Sequence, residues 1–141
     1  MSKKTPIICN VISLFYPVEG GDENTIKLLS ENLINEYGYE VKVLTRRRGG
    51  ILNNWDLKPK ENVDGIEVNR ISVKTERFGS LFFILYGIIH LITTKKSKIY
   101  QACDLVVSSW IVTIVKIFTG AYTVIKLRSG IFKYEKLLSS Y

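Results

Sequence analysis

Residues 7–15 read Ile-Ile-Cys-Asn-Val-Ile-Ser-Leu-Phe, an uncharged run rich in β-branched side chains. Such a run predicts a strand covered on both faces, the situation of a parallel sheet with helices above and below it. Pro17 ends the run, because its ring removes a backbone donor and forces the preceding residue into extended geometry. A turn, Val18-Glu19-Gly20-Gly21, follows. From about Asp22 a helix is predicted, with Ile26, Leu29, Leu33 and Tyr37 as its apolar face at spacings of three and four. Gly38 stands where a C-terminal glycine cap belongs. Residues 39–45 alternate Tyr39, Val41 and Val43 against Glu40 and Lys42, as a second strand does. Strand, glycine turn, helix and strand make one βαβ unit, which commits the chain to the α/β class.

The rest of the chain extends that pattern. Residues 46–65 are polar and turn-rich, a predicted loop of about twenty residues, long enough to suggest a function. A third strand is predicted over 66–73 and an apolar helix over 78–94. Residues 105–107 belong to a fourth strand, 122–127 form a fifth, and 131–140 start a further helix. Residues 111–118 have strand propensity and could pair with 121–127 through Thr119-Gly120 as a hairpin. The alternation of strands and helices upstream favours a short buried helix there instead. The expected architecture is a doubly wound, mostly parallel Rossmann-like sheet, and 141 residues suffice for a single domain of that kind.

Composition narrows the chemistry. Apolar residues at 46% and charged residues at 23% exclude a disordered chain. Two cysteines and one histidine exclude a disulfide framework and a zinc site built from Cys and His, and no metal is expected. The net charge of +7 is uneven: residues 1–77 carry twelve basic and eleven acidic side chains (+1), residues 78–141 eight and two (+6). That imbalance suggests an anionic partner. Nucleic acid is not expected, since no aromatic-basic strand pattern of RNA binders accompanies the charge.

The 17 uncharged residues between Arg77 and Lys95 would span about 25 Å as a helix, short of a hydrocarbon core of about 30 Å. A buried or interfacial helix is expected. Lys95, Lys96 and Lys98 beyond it suit an anionic membrane surface, or else a solvated helix end whose cations favour the C-terminal dipole. Lys3 and Lys4 before the first apolar run imitate a signal peptide, but no small-residue cleavage site follows. With two free thiols this reads as a cytoplasmic chain, with peripheral attachment to a membrane as a second reading.

In an open parallel sheet, ligands bind beyond the carboxyl ends of the strands. The candidate positions are the turn at 16–23, Ser108 and Ser109 after the fourth strand, and Arg128 after the fifth. Gly20 and Gly21 let backbone amides approach a ligand, and the helix that follows aims its positive end at the same point, which suits a phosphate. Taken by themselves, two glycines after a strand are more simply a plain tight turn. Arg128 is either a phosphate fork or a solvated surface residue. His90 reads as a packing residue, and Cys9 and Cys103 as buried thiols on strands. No Ser-His-Asp set is visible.

The residues then carry a resemblance. Residues 15–23, Phe-Tyr-Pro-Val-Glu-Gly-Gly-Asp-Glu, look like the "YP..GG.E" opening of the N-terminal domain of family-4-like, GT-B fold glycosyltransferases. Residues 28–33 and 37–45 resemble that family's "L...L...GHEV.VLT" segment, with Tyr39 in place of its histidine. Val63-Asp64-Gly65-Ile66-Glu67-Val68-Asn69-Arg70 is similar to "dGIeV.R", residues 99–107 to "yDvvh", and residues 118–130 to "ltGkp.v...rg". The resemblance implies transfer of a sugar from a nucleotide-sugar donor, commonly with retention and without a required metal or cofactor in this domain. Gly20 and Gly21 would then approach the donor diphosphate, with Glu23 at the motif's acidic position. The acceptor would be a glycan or a lipid-linked molecule. Ser108-Ser109 and Lys126-Leu127-Arg128 stand where many members carry a histidine, and no catalytic residue is assigned. The family's second domain, with the nucleotide site, has no counterpart in residues 1–141. The resemblance therefore implies an acceptor-side half that does not turn over alone, and a partner chain that supplies the donor-binding domain. The competing reading is a non-catalytic α/β module for anions or a membrane surface.

Overall fold

The computed structural model describes residues 5–47, 57–73, 78–94 and 97–126. In chain order these form β1 (Ile7–Val11), α1 (Gly21–Tyr37), β2 (Glu40–Arg46), β3 (Lys60–Val63), β4 (Ile66–Ile71), α2 (Gly79–Thr94), β5 (Ile99–Ala102), α3 (Val107–Thr119) and β6 (Tyr122–Ile125). One six-stranded sheet runs β3-β4-β2-β1-β5-β6. Every pairing is parallel except the β3–β4 edge. The first strand lies inside the sheet and the chain winds outward from it in both directions, the doubly wound arrangement expected.

Each face of the sheet buries its own cluster. Cys9, Val11, Leu44, Tyr100 and Ala102 pack with Phe83 and Leu91 of α2 and with Ile111, Val112 and Val115 of α3. Val41, Val43, Ile66, Val68 and Phe15 pack with Ile26 of α1. The charge-free run of β1 is explained by this two-sided covering.

Several elements differ from expectation for identifiable reasons. β1 stops at Val11, and residues 12–15 leave the sheet, although Ile12 N–H still donates to Leu44 O at 3.0 Å. In α1 the buried residues are Ile26 and Ser30, whereas Leu29 is 36% and Tyr37 66% exposed. The helix turns toward Ser30 because β1 presents the buried amide of Asn10 there. Asn10 Nδ2 donates to Ser30 Oγ at 3.1 Å, and Ser30 Oγ donates to Ile26 O at 2.7 Å. At the other end Gly38 has φ 66°, and its N–H and that of Tyr39 donate to Ile34 O and Leu33 O, the cap expected.

The predicted loop contains a strand. β3 pairs with β4 across Asp64 (φ 51°) and Gly65 (φ 88°), a hairpin turn with both central residues left-handed. Residues 48–56 of that loop lie outside the described residues. The strand expected at 105–107 lies instead at Ile99–Ala102 (β5); Leu105 and Val106 are exposed in the turn that enters α3. Cys103 accordingly lies just beyond a strand end, not on a strand. Residues 107–119 form the helix favoured over the hairpin, closed by Gly120 N–H to Lys116 O at 2.8 Å. The helix expected at 131–140 lies outside the described residues. Among the described residues no helix is long and apolar enough to cross a membrane.

Candidate ligand-binding crevice

Crossovers from β1 and β5 run to opposite sides of the sheet, so the chain segments leaving their carboxyl ends diverge and open a crevice. Its walls are Ile12, Ser13, Leu14, Asp22, Glu23, Cys103 and Asp104, around a volume of about 150 Å³.

Asp104 holds the crevice together. Its carboxylate accepts Ser13 N–H at 3.1 Å and Ser13 Oγ at 2.9 Å from the segment after β1. It also accepts Ser108 N–H at 2.8 Å, and Ser108 Oγ, from the first turn of α3. Negative charge at a helix start satisfies amides that have no intrahelical partner and complements the dipole. Ser109 Oγ donates to Asp104 O at 3.1 Å. The two predicted serines therefore sit in the first turn of a helix, and both hydroxyls are directed at Asp104.

Arg70 braces the other rim. Its side chain is fully buried, and its guanidinium donates to Tyr16 O at 2.6 Å and to Lys58 O at 3.2 Å while pairing with Glu61. The turn that leads to the glycines is thus tied to β3 and β4. Tyr16–Pro17 is a cis peptide bond.

The glycine pair lies at the amino end of α1, as expected. Gly20 is the N-cap residue, and α1 begins at Gly21. A Cβ at Gly20 would collide with the Glu23 carboxylate, which folds back over it. The contact is with the far end of a flexible side chain and Gly20 is extended (φ −159°), so a larger residue there would need only a shift of Glu23. At Gly21 a Cβ would meet nothing within 4 Å, so the space beside that residue is open. Asp22 and Glu23 bring two carboxylates to the same helix end, and both line the crevice. Of the candidate residues, Glu23 lines the crevice, Gly20 and Gly21 adjoin it at the start of α1, and Ser108 and Ser109 reach it only through their hydrogen bonds to Asp104. Arg128 lies outside the described residues, as do Lys95 and Lys96. Lys98 precedes β5, at the opposite edge of the sheet from the crevice, and is exposed.

Burial pushes the thiols of Cys9 and Cys103 up to about 12, so both are protonated and unreactive at neutral pH. A second cleft of about 120 Å³ lies on the α2 side, lined among others by Lys42, Lys60, Glu67, Asn69 and His90. Its charges are mutually satisfied: Glu67 stands 3.3 Å from Lys42 Nζ and 3.4 Å from Lys60 Nζ. Burial lowers the pKa of His90, which keeps the imidazole neutral there.

Sequence reasoning missed Ser13, Arg70 and Asp104. An aspartate four residues before a serine at a helix start, and an arginine ending an alternating strand, were the available signals. No family model matches the chain, and no curated protein matches it. The fold and the crevice define a doubly wound α/β domain with an acidic, glycine-edged opening at its switch point.

Proposed function

We propose that this domain is the acceptor-side half of a glycosyltransferase that takes its sugar from a nucleotide-sugar. The observation that carries the reading is the position of Gly20 and Gly21 at the amino end of α1, on the rim of the switch-point crevice. There the donor diphosphate meets backbone N–H groups and the positive end of the helix dipole. The open space at Gly21 is the place for it. The crevice beneath takes the acceptor, whose hydroxyls are matched by the carboxylates of Asp22 and Glu23.

The role of this half is orientation: it holds the acceptor hydroxyl near the anomeric carbon of a donor gripped mainly by a second domain. Asp104 and Arg70 keep the two rims at a set separation. Sugar transfer requires the donor-binding domain, from a partner chain or a longer polypeptide, to close over the crevice and exclude water.

Saturation-transfer NMR with a panel of uridine and guanosine diphosphate sugars tests the reading. At least one member receives magnetisation from the protein, with a Kd on the order of 1 mM for a single domain, and Gly21→Val removes the signal. Absence of signal from every member, or signal unchanged in Gly21→Val, refutes it.

A further inference from the structure

The two faces of the sheet are dressed for different surroundings. The exposed side of α1 is mixed, with Asn24, Asn32, Asn35 and Glu36 set among Leu28, Leu29 and Tyr37. The outer side of α2 carries Leu81, Phe82, Leu85, Tyr86 and Ile89, all exposed. Those positions recur at three and four, so they form one stripe, opposite the buried Gly79, Phe83, Gly87 and Leu91. Beside it α3 exposes Trp110, Ile117 and Phe118. The two helices pack against each other on the same side of the sheet, which makes their outer sides one surface.

Among the described residues, neither helix carries an acidic side chain on that surface. From Gly79 to Thr94, and again from Val107 to Thr119, the sequence contains neither Asp nor Glu. Asp104, the only acid between residues 78 and 134, is turned into the crevice and bonded to Ser13 and Ser108. Cations stand at the ends instead. Both helices run against the strands, so their carboxyl ends meet at one edge, where Lys98 and Lys116 are exposed. At the amino end of α2, Arg46 lies over the Phe83 ring at 5.4 Å and donates to Ser80 Oγ at 3.1 Å. The hydroxyls of Thr93, Thr94 and Thr119 are turned back onto carbonyls of their own helices, at 2.8 Å in each case. Threonines so bonded present methyl groups outward and ask nothing of water.

We infer that the α2–α3 surface is a docking site for an anionic lipid bilayer, on which the domain lies without crossing it. An apolar stripe between cations matches acyl chains below a layer of anionic headgroups, and Trp110 and Tyr86 are the ring types that favour that boundary. A second copy of the chain fits poorly, because face-to-face stacking would bring lysines against lysines with no acid on either helix to pair them. The inference is independent of the sugar-transfer reading, since it concerns the helix face and not the crevice.

The test is co-sedimentation of the full chain with vesicles of phosphatidylcholine alone and of phosphatidylcholine with phosphatidylglycerol in equal parts. Binding is expected on the mixed vesicles, weakened by high salt and much weaker on the neutral ones. Leu85→Glu with Ile89→Glu, at two exposed positions, is expected to lower partitioning at least tenfold while leaving the circular dichroism spectrum unchanged. Lys98→Glu with Lys116→Glu is expected to lower it on the order of thirtyfold or more, each lysine counting for about fivefold and its reversal for further repulsion. In a Trp55→Phe background, Trp110 emission moves to the blue on binding. Three results each overturn the inference: no binding to either vesicle, binding unchanged in the Leu85 and Ile89 variant, or a soluble dimer dispersed by that variant in place of vesicle binding.

Discussion

Removing the Asp104 carboxylate should loosen the crevice more than any other single change to its walls. Four donors converge on it: the amides and hydroxyls of Ser13 and Ser108. In Asp104→Ala the partly exposed Ser13 hydroxyl can turn to solvent, and the buried Ser108 hydroxyl can donate back to the carbonyl four residues earlier, so their loss costs little. The two amides lose hydrogen bonds to a charged acceptor, each worth about 1.5 kcal/mol net, and the expected destabilisation is about 3 kcal/mol. Asp104→Asn keeps one acceptor oxygen for Ser108 N–H but sets an NH₂ group against Ser13 N–H, so about half that loss is expected. Urea unfolding followed by far-UV circular dichroism measures both. With a slope of about 1.5 kcal/mol/M for a domain of this size, the midpoint falls by about 2 M in Asp104→Ala and about 1 M in Asp104→Asn. A midpoint within about 0.3 M of the parent in Asp104→Ala would show that these hydrogen bonds do not brace the crevice.

Further outcomes are expected. Ser30→Ala leaves the buried Asn10 amide without its acceptor and costs about 1–2 kcal/mol; adding Asn10→Val recovers most of it, which a double-mutant cycle in urea measures. Arg70→Ala strips Tyr16 O and Lys58 O of their donor and leaves Glu61 unpaired, for a loss of about 3 kcal/mol by the same assay. Because Cys9 and Cys103 have raised pKa values in the fold, the unfolded chain loses these protons first. Their contribution is complete below the ordinary thiol range and is lost as pH climbs from about 9 toward about 12. Replacing both by alanine should flatten that alkaline limb of the stability curve. Both thiols should also resist a thiol-reactive disulfide reagent at pH 8 until the chain is unfolded.

The parts of the fold legible in the sequence were those where one residue type has one structural use. Gly38 closed α1 where expected, and the charge-free run around Cys9 and Val11 marked a strand covered on both sides. Misread parts were those where a polar side chain acts at a distance. Leu29 seemed the core position of α1 on spacing alone, yet Ser30 takes it, because Asn10 waits 20 residues earlier on β1. The edge strand Lys60–Val63 has no apolar face to reveal it; its partner and the Asp64-Gly65 turn create it. Residues 105–107 have strand propensity, but Asp104 starts a helix instead by satisfying Ser108 N–H. The glycine rim of the crevice was visible, whereas Arg70 meets Tyr16 across 54 residues and Asp104 meets Ser13 across 91, so these roles arise only in the folded chain.

The most direct measurement is an amide-resolved ¹⁵N–¹H titration of the full chain with uridine diphosphate and, separately, guanosine diphosphate. Shifts concentrated at Gly20, Gly21, Asp22 and Glu23, with smaller ones at Ser13 and Asp104, are the expected result for at least one of the two. Shifts that leave those amides in place and gather elsewhere, or no shift at millimolar nucleotide, would contradict a diphosphate-facing rim at the start of α1.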